Sequence, residues 1–162
     1  MIVALEEIVE ERLGTIKNLL EFAAYDLSEL NSTKINENGS FISNLNYKVW
    51  FEDSNYDLFF IRADGELAGF VIIKRLLEED KYYLNHFFIL RKYRRNKIGK
   101  QAAIKAFNLY PGNWRVSEFD WNTPAQNFWR NVIKEYTNDN YNEIRRKDNR
   151  GPSQEFTNYN CN

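Results

Sequence analysis

The chain has 162 residues, a net charge of −1 and 43% apolar residues. This length suits one domain with a sizeable core, so we predict a single domain over residues 1–162, and the near-neutral charge excludes binding to nucleic acid through general basicity. The only cysteine is Cys161, which excludes a disulfide framework and a cysteine-based metal site. No apolar run approaches the about 20 residues that span a bilayer, and no basic leader is visible. These features predict a cytoplasmic protein without a membrane partner.

The first half of the chain predicts a strand, two helices and a pair of strands. The predicted elements are a strand at 2–8, helices at 10–30 and 44–53, and strands at 58–62 and 68–75. Apolar residues recur at helical spacing through 10–30. Asp64-Gly65, between the last two strands, is typical of a tight β-hairpin turn.

The second half predicts strands that alternate with two helices. The predicted elements are a strand at 81–90, a helix at 98–110, a strand at 114–120, a helix at 124–132, and strands at 140–146 and 154–159. Pro111-Gly112 ends the first of these helices, and Asn122 or Thr123 is suited to cap the second. This order of elements predicts an α+β (mixed α/β) fold, a mostly antiparallel twisted central sheet flanked by helices.

Residues 91–100 form a basic turn between a predicted strand and a predicted helix, and six of these ten residues are basic. The first N–H groups of a helix have no partners inside it and favour anions. The segment therefore predicts a site for a phosphate or diphosphate group. A solvated basic turn before an ordinary helix is the alternative.

This turn resembles the phosphate-binding motif of the GNAT superfamily of N-acetyltransferases, Gln/Arg-x-x-Gly-x-Gly/Ala. Arg94 falls on the first position and Gly99 on the last, whereas Lys97 stands where the family has its first glycine. The resemblance implies the GNAT fold, with acetyl-CoA as cofactor and no metal. It assigns the diphosphate to a run of seven residues: Arg94, Arg95, Asn96, Lys97, Ile98, Gly99 and Lys100. It assigns the pantetheine arm to the main chain of Phe88, Ile89 and Leu90, where the N–H of Ile89 or Leu90 would face the thioester oxygen.

Residues 121–129 resemble the second GNAT signature, Asn-x-x-Ala-x-x-aromatic-aromatic. The resemblance implies that Asn122 contacts the pantetheine, and it places Trp129 where the family has a tyrosine that protonates the thiolate. A plain helix cap for Asn122 and core packing for Trp129 are the alternatives. Residues 87–94, 110–114 and 128–133 are closer still to a group of bacterial predicted acetyltransferases of unknown substrate.

Two residues are candidates for proton transfer. His86, the only histidine, precedes the predicted pantetheine segment and can take the proton of an ammonium group. Tyr136 is the candidate acid in place of the missing tyrosine. Several residues of the first helices and the last strands are candidates for the acceptor site: Tyr25, Asp26, Glu29, Trp50, Phe51 and Tyr141.

The resemblance implies an N-acetyltransferase that moves an acetyl group from acetyl-CoA to a primary amine of a small molecule, peptide or protein by direct attack in a ternary complex. Lys97 and Trp129 motivate an alternative, a non-catalytic acyl-CoA-binding sensor or regulatory module. An RNA-binding protein that uses the basic turn and exposed aromatics is a third reading, which the overall charge and the second motif disfavour. Homodimers are frequent in the superfamily, and the sequence neither requires nor excludes one.

Overall fold

The computed structural model describes residues 1–42 and 44–161, which form seven strands and four helices. The strands are β1 (Val3–Glu7), β2 (Tyr56–Ala63), β3 (Glu66–Leu76), β4 (Lys81–Ile89), β5 (Asn113–Ser117), β6 (Asn142–Arg145) and β7 (Pro152–Thr157). The helices are α1 (Leu13–Asn31), α2 (Val49–Glu52), α3 (Ile98–Leu109) and α4 (Thr123–Tyr136). The predicted mixed α/β fold is confirmed.

The strands form one sheet in the order β1-β2-β3-β4-β5-β7-β6, and all neighbours are antiparallel except β4 and β5. This parallel pair is joined over two positions, Tyr82 with Trp114 and Tyr83 with Arg115. Beyond them the two strands separate, because β4 continues to Ile89 without a partner on its β5 side. The sheet is therefore open between β4 and β5.

A bulge interrupts β4 beside this opening. Ile72 of β3 pairs with His86, but Ile73 pairs with Leu84, so Asn85 is an extra residue in the ladder. An extra residue bends a strand and reverses which face the following side chains occupy.

The two faces of the sheet carry separate cores. One core lies under α1 and α2 and includes Ile16, Leu20, Trp50, Phe60 and Ile72, each at most 4% exposed. The other lies under α3 and α4 and includes Ile73, Ala102, Phe107, Trp114 and Ile133, all fully buried. Each large apolar side chain contributes about 1.5–3 kcal/mol on burial. The open sheet is thus held between two packed layers.

The element boundaries differ from the prediction in two places. α2 has four residues instead of the ten predicted at 44–53, because the Asn46 side chain accepts the N–H of Lys48 and favours a turn. α4 continues to Tyr136 instead of ending at 132. In the described part of the chain, none of the helices is long and apolar enough to cross a bilayer.

Candidate functional site

The opening between β4 and β5 is a cleft of about 220 Å³ that residues from both faces of the sheet line. α1 contributes Asp26, β4 contributes His86 to Phe88, and α4 and its preceding loop contribute Asn122 and Trp129. Residues of β4, which precedes the first motif, therefore meet residues of the second motif in one cleft, whereas none of residues 89–100 lines it. The predicted Phe88, Asn122 and Trp129 all line it.

The basic turn ends in a row of free main-chain donors. Among the described residues, no N–H from 95 to 100 reaches an acceptor within 3.5 Å at normal angles. Arg95 and Lys97 both adopt left-handed backbone, each with φ of 62°. A left-handed residue followed by a right-handed one, as in Lys97 and Ile98, turns successive N–H groups to one side and favours an anion.

Lys97 adopts the conformation that the family's glycine would supply. It is the residue that precedes α3, with φ 62° and ψ 4°, and its side chain is exposed. A side chain in this region costs roughly 1–2 kcal/mol, so the turn keeps its shape under strain. The departure from the motif therefore adds strain at a backbone conformation that glycine would adopt readily.

Two further residues of the turn contact α4. A Cβ on Gly99 would lie 3.3 Å from the ring of Phe128, so the glycine allows α3 and α4 to approach closely. The ammonium of Lys100 pairs with the carboxylate of Glu135.

The side chain of Arg94, the first residue of the motif, is held by hydrogen bonds to other residues of the chain. Its guanidinium donates to the Ile89 carbonyl at 2.9 Å and to Asp26 at 2.5 Å, and Arg91 donates to the same carboxylate at 2.7 Å. Burial works to raise the pKa of Asp26, but the hydrogen bonds from both arginines outweigh it and lower that pKa. Asp26 is thus ionised and committed to the basic turn.

The main chain of β4 presents alternate residues to the cleft. The N–H of Leu90 donates to the Ala68 carbonyl at 2.9 Å, and Phe88 pairs with Phe70 in the β3 ladder. Because donors and acceptors alternate along an antiparallel ladder, the groups that face β5 are those of Phe87 and Ile89. The N–H of Leu90, one of the two predicted thioester donors, is therefore already used, whereas that of Ile89 faces the opening.

Asn122 immediately precedes α4, and Trp129 lies about two turns into the helix. The Asn122 side chain accepts the N–H of Ala125 at 3.2 Å, which makes it the helix cap as well as a residue of the cleft wall. Trp129 is 6% exposed, and its ring meets Phe87 edge-on at 4.9 Å. The indole therefore forms part of the hydrophobic wall beside Phe87.

His86 lies in the cleft wall on the face of α1 and α2. Its ring meets that of Trp50 edge-on at 5.6 Å. Burial lowers its pKa to about 4, since a charged imidazolium loses hydration in this apolar setting. The imidazole is neutral at pH 7.

Tyr136 lies at the far end of α4 and does not line the cleft. Its hydroxyl donates to Asn108 at 2.7 Å, and its ring packs against Phe107 and Phe156. At 1.5 Å per residue the helix separates it from Asn122 by about 20 Å. This location disfavours the predicted acid role.

Glu118 is a residue of the cleft wall that the sequence reasoning missed. It is 4% exposed, and neither carboxyl oxygen has a partner among the described residues. Burial raises its pKa to about 8, with Gln154 nearby. The Gln154 amide oxygen is also without a partner among the described residues. The available signal was strand alternation, because Trp114, Val116 and Glu118 share one face.

The residues predicted for the acceptor site are dispersed. Tyr25 is 64% exposed beside Phe41, and Trp50 is buried against His86. Tyr141 packs against the core under α3 and α4. Asp26 alone of the predicted acceptor residues lines the cleft.

A second cavity, of about 370 Å³, adjoins the cleft on the face of the sheet that carries α1 and α2. It shares Asn85 and Ser117 with the cleft. No group of three His, Cys, Asp or Glu side chains in residues 1–42 and 44–161 is placed to hold a metal ion.

A model of the acetyltransferase (GNAT) family matches residues 22–132. Curated protein sequences give no significant match. Among solved structures, an acetyltransferase from Thermus thermophilus superimposes with a TM-score of 0.75 at 11% identity, over 97% of both chains.

Two further structures share the fold. The PaiA N-acetyltransferase from Thermoplasma acidophilum, solved in complex with coenzyme A, has a TM-score of 0.65 at 17% identity, over 97% of this chain and 99% of that one. A GNAT-family acetyltransferase from Staphylococcus aureus has a TM-score of 0.61 at 18% identity, over 96% and 99%. At these identities the similarity establishes the fold.

Proposed function

The chain belongs to the acetyltransferase (GNAT) family, and from this premise we propose that it transfers an acetyl group from acetyl-CoA to a primary amine by direct attack in a ternary complex. One observation carries the proposal: β4, whose edge towards β5 is open beyond Tyr83, leads directly into a turn in which the N–H groups of 95–100 have no acceptor among the described residues. A row of free donors suits a diphosphate, and an open strand edge suits an extended amide-bearing chain. We assign the whole chain to one catalytic domain.

The residues of β4 and of the basic turn fit acetyl-CoA in three ways. The N–H groups of 95–100 would hold the diphosphate, supported by the exposed Arg95 and Lys97. The main-chain groups of Phe87 would pair with a pantetheine amide. The Ile89 N–H is the remaining candidate for the thioester oxygen, since the Ile89 carbonyl already accepts a hydrogen bond from Arg94. When bound, the cofactor supplies an acetyl thioester. A well-placed donor to a developing oxyanion is worth on the order of 10²–10³ in rate.

Proton transfer can be divided between His86 and Glu118. Amide formation joins the amine nitrogen to the acyl carbon and breaks the carbon–sulfur bond. The ammonium nitrogen loses two protons, one before the attack and one from the tetrahedral adduct, while the thiolate gains one and the other is released to solvent. Neutral His86 has a free lone pair on the face of α1 and α2. Protonated Glu118 holds a proton on the face of α3 and α4. Two groups whose environments push their pKa values apart are suited to opposite roles.

Trp129 favours a second candidate function, a non-catalytic acyl-CoA-binding module. It stands in the position of the family's tyrosine and its indole has no acidic proton of useful pKa. If Glu118 does not replace that tyrosine, a bound thiolate has no donor in the cleft wall. This module would bind acyl-CoA with the same turn and release no free CoA.

Calorimetry and mass spectrometry test these alternatives. We expect acetyl-CoA to bind at least 100-fold more tightly than acetyl-pantetheine, which lacks the diphosphate; equal affinities would exclude the assigned turn. With an amine panel we expect free CoA and N-acetylated product, with intersecting initial-rate plots. Binding without any product supports the non-catalytic module.

Variants then separate the two proton roles. Glu118→Gln should lower kcat more than it raises KM, and His86→Phe should shift the pH dependence of kcat. Lys105→Ala is the matched control because this exposed residue of α3 lies outside the cleft. An unchanged kcat in both cleft variants would contradict the proton-transfer roles proposed for His86 and Glu118.

A further inference from the structure

The cavity that adjoins the cleft has a basic wall, and we call it the basic pocket. Resting on the proposed function, we infer that the acceptor amine also carries an acidic group, a carboxylate or a phosphate, which binds in this pocket. Five cationic side chains and two carboxylates line it. The cationic residues are Lys74, Arg115, Arg145, Arg146 and Lys147.

Ion pairs inside and outside the pocket leave an excess of positive charge. Arg145 is fully paired with Asp120 and Arg146 with Asp148. One carboxylate, Glu79, serves both Arg115 at 2.5 Å and Lys147 at 3.0 Å.

A second carboxylate is also shared. Glu155 lies 3.5 Å from Arg115 and pairs with Lys81. The carboxylates of Glu79 and Glu155 are therefore shared among three cations, which are Arg115, Lys147 and Lys81.

Lys74 adds a further charge. It has no carboxylate partner among the described residues, and its ammonium lies 5.1 Å from the centre of the Tyr56 ring. This wall would repel a diamine and attract an anion.

The basic pocket is continuous with the cleft. Asn85 and Ser117 line both cavities, so an acceptor in the pocket can reach the cleft between these two side chains. Arg115 and Ser117 share one face of β5, and alternate residues of a strand lie about 6.6 Å apart. An amine held near Ser117 and an acid held near Arg115 would be separated by roughly three to five methylene groups.

The walls of the pocket are held in place. The Lys147–Glu79 pair joins the β6–β7 loop to the turn after β3. The Arg146 guanidinium lies 4.2 Å from the centre of the Phe119 ring while it pairs with Asp148. A charged pocket whose side chains are already positioned binds a ligand with little ordering cost.

Matched acceptors test the inference. 5-Aminopentanoate, 3-aminopropylphosphonate, pentylamine and 1,5-diaminopentane have similar length and differ in the charge at the far end. We expect kcat/KM for one or both acidic amines to exceed that of pentylamine at least tenfold, with the diamine the poorest. The first two probes distinguish a carboxylate from a phosphate-like group. Equal or better use of pentylamine or the diamine overturns the inference and leaves the proposed function standing.

Variants and direct binding complete the test. Lys74→Met should reduce the preference for the acidic amines over pentylamine about fivefold, whereas Lys134→Met, an exposed lysine of α4 on the other face, should not. If no amine is acetylated, the proposed function fails. Calorimetry then decides the inference: 5-aminopentanoate should still bind about tenfold more tightly than pentylamine, and equal binding overturns it.

Discussion

Replacing Glu118 by glutamine should stabilise the protein, and the gain should increase with pH. Burial raises the pKa of Glu118 from 4.5 to about 8. Above pH 4.5 the unfolded chain releases this proton while the folded chain retains it. The folded state therefore binds more protons across this window, and its stability falls as pH rises.

The expected change in the free energy of unfolding follows from the difference between the two pKa values of Glu118. Each pKa unit corresponds to about 1.4 kcal/mol, so Glu118 lowers the free energy of unfolding by on the order of 4 kcal/mol between pH 4.5 and 8. Glu118→Gln keeps the shape of the side chain and removes the ionisation. The variant should match the wild type near pH 4.5 and exceed it by several kcal/mol at pH 8.

His86 acts with the opposite sign. Burial lowers its pKa from 6.5 to about 4, so between these values the unfolded chain binds more protons and stability rises with pH. The contributions of His86 and Glu118 oppose each other between pH 4.5 and 6.5. From these two groups the wild type should be nearly flat up to pH 6.5 and should then fall by about 1.4 kcal/mol per pH unit.

Urea unfolding followed by circular dichroism at pH 5, 6, 7 and 8 measures these slopes. Glu6→Gln is the control, because the Arg62 hydrogen bond lowers the pKa of Glu6, and its removal should not alter the slope above pH 6.5. A difference between Glu118→Gln and the wild type that does not grow with pH would show that the folded protein holds Glu118 ionised.

Substitutions at three further sites test the turn, the cap and the strand contact. Lys97→Gly should relieve the left-handed strain and raise Tm by about 2–4 °C in a thermal melt; a lower Tm would contradict it. Asn122→Ala should cost about 1 kcal/mol, and Asn122→Asp should restore stability as a cap but not the affinity for acetyl-CoA measured by calorimetry. Gly151→Ala should destabilise by more than about 2 kcal/mol, because a Cβ would lie 2.0 Å from the Glu118 carbonyl oxygen, whereas Gly14→Ala in open space should be stabilising.

Local sequence determined the features that were predicted correctly. The Asp64-Gly65 turn forms the β2–β3 hairpin with φ of 50° and 83°, which these two residue types tolerate. The amphipathic spacing of 10–30 produces α1, and the family motifs lie at the starts of α3 and α4. Each of these signals depends on residues that are close in sequence.

The features that the sequence did not predict depend on contacts between residues that are far apart along the chain. The motif predicts that Arg94 binds a phosphate, but its guanidinium pairs with Asp26 of α1, 68 residues away. The ladder with β3 uses the N–H of Leu90. Neither Asp26 nor Ala68 is a neighbour of its partner along the chain, so no local pattern signals these contacts. Strand alternation does signal the burial of Glu118, but not the absence of a partner for its carboxyl oxygens among the described residues.

The bulge at Asn85 places the two proposed proton-transfer residues on opposite faces of the sheet. With strict alternation, His86 would share the face of Leu84, under α3 and α4, where Glu118 also lies. The extra residue places His86 opposite Ile72 instead, on the face of the basic pocket. In the proposed reaction the amine therefore loses a proton on the side from which it enters, and the thiolate gains one from the opposite side. A single unpaired residue thus places the proposed proton acceptor and the proposed proton donor on opposite faces of the sheet.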